Sequence, residues 1–179
     1  MGIPFNVLWK KNKLVSRLGK ALKSGLNRPS GPVAILHPDV DFDIADLTNV
    51  LIVQPLFPTM LSWKNQGFSC EVLLPKKPYE LAVVCCVRSR EQTVDLIAQA
   101  AAQADYVVVD GQKVDGIDSH YKMLRKLVKV EGNVIKGHGR LFWFLSEDLS
   151  HLRAEHKSCL LYTSPSPRDV EESRMPSSA

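Results

Sequence analysis

Apolar positions in this chain fall into short blocks separated by polar stretches that carry glycine and proline. Val33-Ala34-Ile35-Leu36 and Val50-Leu51-Ile52-Val53 are continuous apolar runs, the pattern of strands covered on both faces. Residues 70–74, 81–87 and 106–110 predict further strands. Helices are expected between some of them. Residues 58–66 open on a proline and are followed by Gly67, the usual helix asymmetry. Ser89-Arg90-Glu91-Gln92 reads as a capping box for a helix running to about residue 103. Val94, Ile97, Ala98 and Ala101 line its expected apolar face. A helix over residues 117–128 carries the stripe Ile117, Tyr121, Leu124 and Val128. Residues 133–136 and 141–144, joined around Gly137-His138-Gly139, predict a closing hairpin. Alternating strands and helices imply an α/β fold with a mostly parallel sheet, and the hairpin adds a C-terminal antiparallel strand. The intervals between the first two strands, and between residues 74 and 81, leave room for only abbreviated helices.

Ahead of these elements, residues 1–31 form a basic lead-in with a short helix. Leu14, Leu18, Ala21 and Leu22 share one helical face, and Lys10, Lys11, Lys13, Arg17, Lys20 and Lys23 supply charge. Contact with RNA or a membrane is one account of such a segment; a docking helix with solvated lysines is the other.

The far end of the chain changes the bookkeeping. Cys159-Leu160-Leu161-Tyr162-Thr163-Ser164-Pro165-Ser166-Pro167-Arg168-Asp169 looks like an in-frame translation of a transposase-based sequencing adapter, and residues 170–179 fit an index and the adapter's continuation. Such scars are set aside before a fold is considered. A genuine Pro/Ser-rich disordered tail is the alternative that composition permits. Setting residues 159–179 aside removes two of 23 basic and three of 19 acidic residues, so the net charge moves from +4 to +5. A modest basic excess suits a nucleic-acid partner without requiring one. Cys70, Cys85 and Cys86 remain, without zinc-type spacing, and read as buried thiols of a reducing compartment. The longest strongly apolar run, residues 81–87, is far too short to span a bilayer. The expectation is a soluble cytoplasmic protein with no membrane partner.

The strand at 106–110 leads into Asp110-Gly111-Gln112-Lys113-Val114-Asp115-Gly116-Ile117-Asp118-Ser119, and the hairpin reads Lys136-Gly137-His138-Gly139-Arg140-Leu141-Phe142-Trp143-Phe144. Together these stretches resemble the N-terminal domain of class I S-adenosylmethionine-dependent methyltransferases of the small-subunit ribosomal RNA guanine-N2 type. The resemblance spans about residues 14–145 and is specific from Tyr79 to Phe144. It implies a degenerate class I methyltransferase (Rossmann-like) sheet over residues 32–146, an interdomain linker starting at 147–158, and a catalytic C-terminal domain beyond Ser158. That missing domain and ribosomal RNA are the implied partners.

Class I methyltransferases that bind their cofactor carry a glycine-rich turn after the first strand, where backbone must approach the ligand closely. Here that strand runs into His37-Pro38-Asp39-Val40-Asp41. The family's second strand ends in an acidic residue for the ribose hydroxyls; Gln54-Pro55 follows Val53. In place of an Asn-Pro-Pro-aromatic turn after the fourth strand stands Cys86-Val87-Arg88-Ser89. The resemblance therefore implies S-adenosylmethionine in the intact parent, but no cofactor-binding, catalytic or metal-ligating residue in this domain.

Other chemistries find little support. No G-x-G-x-x-G follows a strand, and His-Leu-Arg-Ala-Glu-His at 151–156 is not the zinc-binding H-E-x-x-H. His138, between glycines, suits a polar hairpin tip. Phe142, Trp143 and Phe144 offer stacking rings, although at least two are expected in the core. In the loop, Asp110, Gln112, Lys113, Asp115 and Asp118 fit either a polar-ligand surface or a structural role, with Gly111 and Gly116 allowing turns and Asp115 or Asp118 capping the helix. Capping gives Lys113 no task, so it is a contact candidate. Lys122, Arg125, Lys126 and Lys129 recur at i, i+3, i+4 and i+7. Such a single-sign stripe is mildly self-repelling, and is either a phosphate-contacting face or a solvated one. Lys136 and Arg140 complete the RNA-contact candidates.

Overall fold

The computed structural model describes residues 16–45 and 47–149. Leu14, the lysines before Ser16, His151, His156 and the adapter-like residues 159–179 lie outside the described residues.

Helix α1 (Arg17–Ser24) is capped by Ser16, whose hydroxyl accepts from the Gly19 amide at 3.0 Å. It docks as an amphipathic helix: Leu18 and Ala21 are buried, while Lys20 and Lys23 face solvent. Strands β1 (Val33–Leu36), β2 (Val50–Val53), β3 (Ser69–Glu71), β4 (Tyr79–Cys85) and β5 (Ala104–Gln112) follow. The hairpin β6 (Val130–Lys136) and β7 (Gly139–Leu145) closes the sheet. Between strands lie α2 (Phe57–Asn65), α3 (Arg90–Ala101), a 3-10 turn (Lys113–Asp115) and α4 (Ile117–Leu124). The sheet order is β3-β2-β1-β4-β5-β7-β6. β1 to β5 pair in parallel, and β7 runs antiparallel between β5 and β6. The expected α/β, mostly parallel architecture with a C-terminal antiparallel hairpin is the one observed.

The central strands are covered on both sides, which is why they read as unbroken apolar runs. One core holds Ala34, Leu36, Ala82, Val84, Val107, Val109, Phe142 and Phe144 against α3 and α4. The other holds Val33, Ile35, Leu81, Val83, Val108, Leu141 and Trp143 against α1 and Trp63 of α2. Phe142, Trp143 and Phe144 are all core residues, so none offers a free stacking face.

Several local expectations are corrected. The buried face of α3 is Thr93, Leu96, Ile97, Ala100 and Ala101, and Ala98 is exposed. Thr93 is admitted because its hydroxyl bonds the Val87 and Ser89 carbonyls at 3.2 and 3.0 Å. Helix α4 stops at Leu124; Arg125 is its C-cap, and a turn carries Lys126 to Val128. Val128 is still buried, which made its spacing look helical. Its N-cap is Gly116, without a side-chain cap, so neither Asp115 nor Asp118 caps this helix.

Candidate functional site

The carboxyl ends of β1, β4 and β5 open into one cleft of about 430 Å³, against which α1 also rests. Ligands of open α/β sheets gather at this end of the strands. Its lining includes Arg17, Asp39, Asp41, Cys86, Asp110 and Lys136.

Asp110, near the end of β5, is buried and held by Arg17. The guanidinium donates from Nε to Oδ1 at 2.5 Å and from Nη2 to Oδ2 at 2.9 Å, a bidentate grip. Nη1 donates to the Lys136 carbonyl at 3.0 Å. The pairing raises the Arg17 pKa further, chiefly through the Asp110 hydrogen bond. Gly139 leaves room for this side chain: a Cβ there would overlap the guanidinium and lie 2.7 Å from the Gly111 carbonyl. Arg17, grouped in sequence with solvated lysines, is thus a half-buried wall of the cleft.

Gly111 lies within β5, not in a turn. A Cβ on it would come within 2.8 Å of Cys86 Cβ and 3.3 Å of Ile117 Cβ, so its task is close packing. Gly116 does make a turn, with φ 77°. Asp115 accepts from the Gln112 amide at 3.4 Å and closes the 3-10 turn. The Gln112 side chain, oriented to donate, reaches the Gly137 and His138 carbonyls at 3.0 and 3.2 Å. His138 forms the exposed hairpin tip with Gly137; their φ values, 57° and 59°, suit a two-residue primed turn. Burial and nearby carboxylates push the Cys86 thiol up to about 12, and Cys85 well above its usual value. Neither is poised as a nucleophile.

The ends of β1 and β2 are built from side chains. His37 adopts φ 55°, a left-handed backbone that glycine would take without strain. Pro38 behind it offers its carbonyl to Gln54 Nε2 at 3.0 Å and Trp63 Nε1 at 3.4 Å. Gln54 Oε1 accepts from the Leu56 amide at 3.1 Å. Both ends of the Gln54 amide are therefore engaged inside the protein.

The seven basic candidates do not form one surface. Lys136 lines the cleft, and Lys113 is exposed on the 3-10 turn, its amide bonded to the His138 carbonyl at 3.0 Å. Lys122, Arg125, Lys126 and Lys129 are exposed on and after α4. Only Lys122 lies within the helix, so the expected single helical stripe is not present. Arg140 joins this second group through Asp118 of α4, Nε to Oδ1 2.9 Å, and lies 4.1 Å from the centre of the Tyr121 ring. Asp118 is thus an ion-pair partner. Among the described residues no helix is long and apolar enough to cross a membrane, and no cluster of three or more His, Cys, Asp or Glu is arranged to hold a metal.

The strand order, the antiparallel hairpin and the cleft at the strand ends define a Rossmann-like fold of the class I methyltransferase kind. A 16S rRNA N2 methyltransferase from T. thermophilus, solved with AdoMet and guanosine, superimposes with a TM-score of 0.52 at 15% identity. That match covers 73% of this chain and only 39% of the other. An rRNA methylase from Escherichia coli matches with TM-score 0.51 at 10% identity, over 72% of this chain and 63% of that one. A Thermoplasma acidophilum protein reaches 0.55 at 11% identity, covering 72% and 85%. No protein-family model and no curated protein matches. At these identities the likeness establishes the fold.

Proposed function

We propose that this chain is the non-catalytic N-terminal domain of a small-subunit ribosomal RNA guanine-N2 methyltransferase. It supports a catalytic domain encoded beyond Ser158 and engages ribosomal RNA. The observation that carries this is the state of the strand ends in a methyltransferase fold. His37 and Pro38 stand where backbone would have to approach a cofactor, Gln54 is turned inward, and Arg17 is locked to Asp110 in the cleft. These residues do not fit S-adenosylmethionine, so no methyl-transfer step is derived for this chain. In the intact parent, the cofactor and a guanine exocyclic amine would meet on the other domain. The partial coverage of the T. thermophilus enzyme, 39% of its length, supports the same reading.

A stand-alone RNA-binding module of the same fold is the second reading. It rests on the exposed basic residues Lys122, Arg125, Lys126 and Lys129, which could meet RNA without a second domain. Reading genomic DNA through codon 158 separates the two. A continuing frame with a D-x-G-x-G-type turn and an Asn-Pro-Pro-aromatic motif is expected. An early stop codon would overturn the two-domain reading and leave the module.

A further inference from the structure

The two faces of the β6–β7 edge are treated differently by the fold. On one face α1 packs across both strands, with Leu18 and Ala21 in the core that holds Trp143 and Leu141. The other face carries Phe142 and Phe144, against which Ile117, Tyr121 and Leu124 of α4 pack. Opposed residues of an antiparallel pair project to the same side. Asn133 faces Phe142 and Ile135 faces Arg140, so both β6 side chains emerge on the α4 side. Helix α4 covers β7 there but not β6: Asn133 is exposed, and Ile135 is 60% exposed. The result is an open shelf of sheet at the protein's edge.

Its rim is basic. Arg140 rises from β7 beside Tyr121, and Arg125 lies 5.8 Å from the same ring. Lys122 follows Asp118 by one helical turn on that side of α4, and Lys126 and Lys129 continue along the exposed turn. Of the acids on α4 and β6, Asp118 is paired to Arg140, and Glu131 is exposed on β6. The strand-end cleft has the opposite character, with Asp39, Asp41, Asp43, Asp110 and Asp115 among its lining residues. A phosphate backbone is attracted to the first surface and repelled by the second.

We propose that this shelf, and not the cleft, docks single-stranded RNA, with phosphates along Lys122, Arg125 and Arg140 and a base over Ile135 beside Asn133. The proposal deepens the RNA-engaging reading above and rests on it. An aliphatic and amide floor beside a cationic rim suits unpaired bases, whose faces and edges are free to reach it. A duplex keeps its bases stacked and would leave Ile135 unused.

The test is fluorescence anisotropy of the full chain with a labelled single-stranded oligoribonucleotide of about 12 nucleotides, over a series of salt concentrations. Lys122→Glu with Arg125→Glu should weaken binding roughly tenfold and flatten the log–log salt slope by about 1.4. Ile135→Ser should weaken it several-fold with the slope unchanged. Lys64→Glu, on exposed α2, should change nothing. Wild-type affinity in the shelf variants, with loss in Lys136→Glu, would move the site to the cleft and leave the RNA reading standing. Preferential binding of duplex RNA with Ile135→Ser silent would overturn the single-strand assignment. No binding by the wild-type chain would overturn both the shelf and the RNA reading.

Discussion

The guanidinium of Arg17 grips both carboxylate oxygens of Asp110 across 93 positions of sequence, tying the first described helix to the end of the fifth strand. Both side chains are largely withdrawn from solvent, so each depends on the other for its charge to be tolerated. Arg17→Met should therefore destabilise the chain by about 3 kcal/mol, because it strands a buried carboxylate. Adding Asp110→Asn should recover part of that loss. Urea denaturation of the two single variants and the double variant gives the coupling. Strictly additive effects would mean that the pair contributes nothing as a pair.

Gly132 of β6 lies directly against the indole of Trp143, where a Cβ would overlap the ring. Since Trp143 is 3% exposed and packed in the core, it has little room to yield. Gly132→Ala is expected to cost about 1–3 kcal/mol and to perturb the near-ultraviolet circular dichroism of tryptophan. An unchanged melting temperature would show that the hairpin shifts freely.

His120 is 1% exposed on α4, and its Nδ1 has no hydrogen-bond partner among the described residues. Burial first, and the charge of Arg90 second, hold its pKa below the usual 6.5; burial acts on His37 in the same direction. The unfolded chain thus binds protons that the folded chain refuses. Stability from these groups is complete above pH 6.5 and is lost as the pH falls through that value toward the folded pKa values. His120→Phe should flatten the acid side of a stability–pH curve measured by denaturant titration. A curve as steep as wild type would assign the acid loss to other groups.

Ser89 accepts from the Gln92 amide at 3.2 Å and opens α3. Ser89→Ala should cost about 1 kcal/mol, read as a shift in the denaturation midpoint at constant slope. Ser89→Gly should cost only a few tenths.

How much of this was legible beforehand depends on the range of each interaction. The strands were readable because β1, β2, β4 and β5 are buried on both faces and so carry unbroken apolar runs. Their ends were not, since backbone pairing extends β5 to Gln112 and β6 back to Val130 through residues of mixed polarity. The α3 face was misassigned because Thr93 hides its hydroxyl in local hydrogen bonds, while Ala98, apolar and small, faces water. Arg17 was hidden among other basic residues. Gly139, a glycine at a strand's start, was the one local sign that another group approaches closely. The basic residues on and after α4 lie at the surface, as either reading of them requires, but their division from Lys113 and Lys136 depends on which sheet face each occupies.

On the proposed reading, side chains occupy the cofactor end of this methyltransferase-like fold. Isothermal titration calorimetry of the full chain with S-adenosylmethionine tests it most directly. The prediction is no binding heat above dilution for wild type. Stoichiometric, saturable binding would contradict it, and would mean that Arg17 and His37 yield to a ligand rather than replace one.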